Sequence, residues 1–128
     1  MQPISATILV VDDDTAIREA IVYELKRKNF KTLEAANGAQ AYMILKMFKV
    51  NLVISDIKMP GGDGIELLKN IGILKFSKPA FVFVSGCNMQ PLEAITLGAQ
   101  KIFHKPFSRN ELMLEVSRLI GVTRQTTD

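Results

Sequence analysis

The chain has one cysteine, Cys87, and one histidine, His104, among its 128 residues. A single thiol excludes an internal disulfide, and this pair falls short of the roughly four ligands that a structural zinc takes. Tryptophan is absent and aromatics make up only 7%; no aromatic stripe alternates with basic residues as in a nucleic-acid surface. Sixteen Lys and Arg against thirteen Asp and Glu give a net charge of +3, and without a basic run this reads as a solvated cationic face. No apolar run approaches membrane-spanning length, and residues 1–7 lack the basic segment and apolar block of a signal peptide. With the lone cysteine, these absences point to a reducing, cytoplasmic setting. What the sequence does have is apolar residues, 48%, enough for one domain with its own core.

That apolar content falls into short β-rich runs. Ile8, Leu9, Val10 and Val11 stop at Asp12, Asp13 and Asp14, a buried strand running into an acidic loop. Asp14 suits an N-cap; Ile17, Ala20, Ile21 and Leu25 recur at helical spacing, and Lys26, Arg27 and Lys28 complement the negative end of the helix dipole. Residues 30–35 mix polar and apolar positions, which predicts an edge strand. Asn37 is placed to cap a second helix with Ala41, Ile44, Leu45 and Phe48 on one face, and residues 50–55 give a third strand. Met43, Met47 and Met113 read as core fillers.

Asp63 is placed to cap a third helix with Leu67, Leu68 and Ile71 inward, and residues 80–84 form a fourth strand ending at Ser85-Gly86. Residues 87–97 hold a short fourth helix, with Pro91 tolerated in its first turn. Lys101, Ile102 and Phe103 make a fifth strand leading into Lys105-Pro106. Ser108 and Glu111 have capping-box spacing, and Phe107 and Leu112 sit as a hydrophobic staple for a last helix, with Leu112, Val116, Leu119 and Ile120 inward and Gly121 as its stop. Residues 1–121 thus read as one domain and 122–128 as a polar tail or the start of a linker. Alternating strands and helices with short connections predict an α/β fold, a five-stranded parallel sheet with helices on both faces.

In such a sheet the carboxyl ends of the strands share one edge, where ligands bind. Here those ends carry Asp12-Asp13, Asp56, Ser85 and Lys105-Pro106. Clustered carboxylates repel unless a cation sits among them, and Lys105 and a divalent ion are the natural candidates. Mg²⁺ suits two or three carboxylates with phosphate oxygens completing its shell. The duller alternative, that Asp12 and Asp13 merely cap a helix, stays open, although three adjacent aspartates exceed what one cap requires.

Taken in order, with Met59 to Gly64 supplying a Met-Pro-x-x-Asp-Gly loop, these residues resemble the receiver domain of two-component response regulators over almost the whole chain. The resemblance implies the flavodoxin-like strand order 2-1-3-4-5 and Asp56 as phosphoacceptor. It implies Ser85 and Lys105 as phosphate-facing groups, and Mg²⁺ held by Asp12, Asp13, Asp56 and the Lys58 backbone carbonyl. It also implies a cis Lys105-Pro106 bond. The donor would be a histidine kinase or a histidine phosphotransfer protein, and the output an unidentified protein or domain. The domain would be a signalling module, not an enzyme with an external substrate, would touch neither nucleic acid nor membrane itself, and has a surface open to homodimer formation.

Three positions depart from the family pattern. Ile102 stands where many receivers carry a Tyr or Phe that turns inward on phosphorylation, with Phe103 next to it. The segment from Ser85 to Gly98 is short, and Gly62 replaces a common Met. The first two raise the alternative of a receiver-shaped adaptor that docks partners without phosphorylation. A phosphatase of the haloacid dehalogenase type would want an acid two residues after Asp56, where Lys58 stands. Dinucleotide binding would want a Gly-rich turn in place of Asp12-Asp13-Asp14.

Overall fold

The computed structural model describes residues 6–74 and 78–125. Among these, strands and helices alternate: β1 (Thr7–Val11), α1 (Thr15–Arg27), β2 (Lys31–Ala35), α2 (Gly38–Met47), β3 (Leu52–Ser55), α3 (Gly64–Ile71), β4 (Ala80–Ser85), α4 (Pro91–Leu97), β5 (Lys101–His104) and α5 (Arg109–Gln125). The strands are all parallel, in the order β2-β1-β3-β4-β5. This is the flavodoxin-like arrangement expected from the sequence.

Strand side chains alternate between two cores, because successive residues point to opposite faces. Leu9, Val11, Val53, Phe81, Phe83 and Ile102 pack on the face covered by α2, α3 and α4. Ile8, Val10, Leu52, Ile54, Val82, Val84 and Phe103 pack on the face covered by α1 and α5. With both faces covered, β1, β3 and β4 are almost wholly buried, whereas β2 at the sheet edge is largely accessible, as its mixed sequence predicts.

Helix starts follow the capping residues. Asp14, Asn37 and Asp63 accept from the N–H groups of Ile17, Gln40 and Glu66, and Ser108 Oγ accepts from Glu111, each cap being worth about 1 kcal/mol. Pro91 opens α4 at the position where its missing N–H does no harm, and Gly98, at φ 111°, closes it.

Two expectations fail. The last helix does not stop at Gly121 but continues to Gln125; a glycine stop needs the left-handed conformation, which Gly121 does not adopt. Met43, Met47 and Phe48 are not core residues but are 54%, 69% and 50% exposed. Ala41 and Leu45 set the inward face of α2, and Met43 lies two residues, or about 200°, round the helix from Ala41. Phe48 has already left the helix, with φ −129° and ψ 145°. Met113 is buried as expected. The expected polar tail lies partly outside the described residues, at positions 126–128.

Candidate functional site

Strand order reverses between β1 and β3, and the crevice at such a reversal is the usual ligand site of a doubly wound sheet. Each residue there is pinned by one more rung of the ladder beyond its strand. Asp12 N–H donates to the Ala35 carbonyl at 3.1 Å, Asp56 N–H to Val11 at 2.9 Å and Lys105 N–H to Ser85 at 2.8 Å. The backbone therefore fixes where the side chains start.

Lys105 Nζ lies 2.9 Å from Asp56 Oδ2 and 3.0 Å from Asp12 Oδ2. The remaining oxygens are also occupied: Asp56 Oδ1 accepts from Ile57 N–H at 2.7 Å and Asp12 Oδ1 from Asp14 N–H at 2.9 Å. Asp12 does take part in a local turn at the helix start, but it does so from a fully buried position and shares Lys105 as well. Asp13 is exposed, and ligand oxygens of Asp12, Asp13 and Asp56 all lie within 4.8 Å of one another. Oxygen donors at this density suit a hard divalent cation that keeps part of its water shell.

Burial pushes the Asp12 carboxyl above its usual range, against the opposing pull of the Asp14 N–H and Lys105. For Lys105, burial works to lower the ammonium, but its bonds to Asp56 and Asp12 outweigh it and hold the group above the ordinary lysine value. The Lys105–Pro106 bond is cis.

Ser85 is buried at the end of β4, its Oγ accepting from Cys87 N–H at 3.2 Å. Lys58 is exposed in the loop after β3. Glycines shape that loop: Gly61 and Gly62 have φ 86° and 123°, and the Gly62 carbonyl accepts from Gly38 N–H at 2.9 Å, tying the loop to the start of α2. At Gly64 an added Cβ would stand 2.1 Å from the Asp56 carbonyl oxygen.

One contributor has no signal in the sequence. Arg18, on the first turn of α1, donates through a terminal guanidinium nitrogen to the Asp12 carbonyl at 2.7 Å and through Nε to Glu34 at 3.1 Å. It bridges β2 to the acidic loop, a link that only the packed fold creates.

A doubly wound sheet with acids at its switch point and a lysine reaching in from the far strand defines a class of phosphate-handling signalling folds. The response regulator receiver domain model matches residues 8–117, and the chain belongs to that family. The acidic pocket fits the family's phosphoacceptor site. Its curated relatives include the phosphate regulon transcriptional regulatory protein PhoB of Pseudomonas aeruginosa, 34% identical over 126 residues, covering 96% of this chain and 54% of that protein. The transcriptional regulatory protein ResD of Bacillus subtilis is 34% identical over 122 residues, covering 94% and 50%. The chain thus spans about half the length of these relatives.

Among solved structures, the Francisella response regulator 1452 receiver domain superposes with a TM-score of 0.85 at 26% identity, covering 93% of this chain and 99% of that one. A CheY-like receiver domain protein from Methanospirillum hungatei gives 0.88 at 24% identity, covering 96% and 99%, and shares the fold. Receiver domains of response regulators are signalling domains. Among the described residues, no helix is long and apolar enough to cross a membrane.

Proposed function

We propose that Asp56 takes a phosphoryl group from the phosphohistidine of a histidine kinase or histidine phosphotransfer protein, in a Mg²⁺-dependent reaction, and that the domain signals through a change of shape. The observation that carries this reading is the convergence of three carboxylates within 4.8 Å around a lysine that touches two of them. A carboxylate oxygen of Asp56 forms the new O–P bond as the N–P bond of the donor breaks, and the imidazole leaves with the electron pair. The attacking group is a carboxylate oxygen, with Lys105 Nζ beside it at 2.9 Å, so the step calls for no separate general base.

Asp13 would hold the metal directly and Asp12 mostly through water, with Asp56 and the Lys58 carbonyl as the other protein groups that would hold it. When bound, Mg²⁺ offsets charge on the transferring phosphoryl oxygens. Lys105 does the same from the opposite side, with its ammonium already aimed at Asp56. Ser85 Oγ donates to a phosphate oxygen, and Gly86 beside it leaves room, since an added Cβ there would meet nothing within 4 Å.

On this reading the receiver domain runs through α5, and an output protein or domain receives the signal. The domain works in the cytoplasm, where its phosphodonors are made. Incubation with a small-molecule phosphodonor and Mg²⁺, followed by intact mass, tests the proposal. Wild type gains one phosphoryl group and Asp56→Asn gains none; equal labelling of both overturns it.

A further inference from the structure

His104 lies between the phosphate-facing groups without belonging to them. It pairs with Ser85 across the parallel β4–β5 ladder and immediately precedes Lys105. Its ring is engaged by the loop after β4: Nε2 lies 2.8 Å from the main-chain oxygen of Met89. A carbonyl only accepts, so Nε2 carries the hydrogen and the ring donates.

Met89 is in the loop between β4 and α4, and its side chain is buried in the same core as Ile102, Ala94 and Ala99. Residues 86–89 are thus tethered by side chains at two points, through Cys87 N–H to Ser85 Oγ and through the Met89 carbonyl to His104. Among the described residues no other hydrogen bond to 86–89 competes with these two. One tether starts at the end of β4, the strand next to that of Asp56, and the other at the end of β5, one strand further out. Gln90, the next residue, donates its N–H to Glu93 and opens α4. The loop's position therefore sets where α4 begins.

We propose that His104 is a positioning residue for this loop: its ring holds residues 86–90 in the unphosphorylated arrangement and couples the Ser85–Lys105 end of the sheet to α4. The coupling half rests on Asp56 being the phosphoacceptor. When Ser85 Oγ turns to donate to a phosphate on Asp56, the Cys87 tether shifts, and the loop can follow only by straining or releasing the bond to His104. Ile102 is already buried and carries no polar group with which to report the event; His104 does.

Amide hydrogen exchange on wild type, His104→Ala and His104→Gln tests this, because the exposed ring can be removed without opening the core and a glutamine amide keeps an N–H within reach. In unphosphorylated protein, loss of one hydrogen bond should speed exchange at 86–97 roughly fivefold in His104→Ala. Exchange in β1 and α1 should stay unchanged, and His104→Gln should lie within about twofold of wild type. Phosphorylation should speed exchange at 86–97 in wild type and less so in His104→Ala, where the tether is already gone. Equal exchange at 86–97 in all three proteins, or a rise spread evenly over the whole sheet, overturns the proposal. A wild type that takes no phosphoryl group fails the functional reading instead, and leaves the unphosphorylated comparison to decide whether His104 holds the loop.

Discussion

Lys105 reaches Asp56 across an intervening strand: the lysine follows β5, the aspartate follows β3, and β4 lies between them, yet Nζ and Oδ2 are 2.9 Å apart. The contact brings a cation from the β5 end of the sheet into the acidic crevice. It also makes Lys105 the counter-ion of Asp56 and Asp12 together.

Lys105→Met should slow phosphorylation of Asp56 by a small phosphodonor by on the order of 10²-fold, the usual effect of deleting one group that stabilises transition-state charge. Lys105→Arg should not restore the rate, since a planar fork does not replace a compact point charge seated between two carboxylates. The same Lys105→Met change leaves Asp12 and Asp56 facing each other without their cation. Mg²⁺ should therefore raise the melting temperature of Lys105→Met more than that of wild type. Equal shifts in the two proteins would show that the lysine does not balance the cluster.

Much of this site was legible in the sequence, for a specific reason. Strands buried on both faces read as unbroken apolar runs, so the first polar residue after each run marks the strand's end, and parallel pairing puts all those ends on one edge. Asp12 and Ser85 follow directly from that logic, Asp56 stands one residue past Ser55, the polar end of β3, and the caps Asp14, Asn37 and Asp63 follow from side chains that prefer to bond backbone N–H groups. What was not legible depends on the angular position of a residue or on tertiary reach. Met43 and Met47 look like core residues by composition and are surface residues by phase on α2. Arg18 and His104 act through the carbonyls of Asp12 and Met89, and a carbonyl carries no sequence signature.

Gly64→Ala should be strongly destabilising, because the new Cβ would stand 2.1 Å from the Asp56 carbonyl oxygen and 3.1 Å from Ser55 Oγ. The loop after β3 would have to move, stretching the bond from Gly64 N–H to the Ile57 carbonyl, now 2.7 Å. Overpacking of this kind costs roughly 1–3 kcal/mol, or a drop of about 3–10 °C in Tm for a domain of this size. Gly86→Ala, where the added Cβ meets nothing within 4 Å, should change Tm by less than about 2 °C. Thermal unfolding of the two variants side by side checks the pair, and equal losses would count against the close approach at Gly64.

Lys58 stands two residues beyond Asp56 in the exposed loop after β3, and Cys87 stands two residues beyond Ser85, bonded through its N–H to Ser85 Oγ. On the proposed reading these two side chains border the path of the water that hydrolyses the aspartyl phosphate, so substitutions at either should alter the lifetime of the modified protein without changing where the phosphoryl group goes. Decay of the added mass after removal of the phosphodonor measures this directly. The same half-life in Lys58→Ala, Cys87→Ala and the double variant would rule out a gating role for both.

Asp12 gives a test in pH. Burial holds its carboxyl above the usual value in the folded protein, so the folded state binds this proton more tightly than the unfolded chain does. The favourable contribution is fully present below the unfolded pKa, about 3.9, and is lost as pH rises through the raised folded value; near neutrality the protein carries a buried charge instead. Asp12→Asn removes that charge and keeps the shape. In metal-free protein its Tm advantage over wild type should therefore be smallest near about pH 4 and grow toward about pH 7. Lys105 works at the other extreme: its raised pKa means that its stabilising bonds persist until pH exceeds the ordinary lysine value and vanish as pH rises through the folded one. Added Mg²⁺ should shrink the Asp12→Asn advantage at neutral pH, because in wild type the ion compensates the charge that the substitution removes. A Tm difference that stays constant with pH and indifferent to Mg²⁺ would mean that Asp12 is held by its turn with Asp14 alone, and that its charge contributes nothing to the crevice.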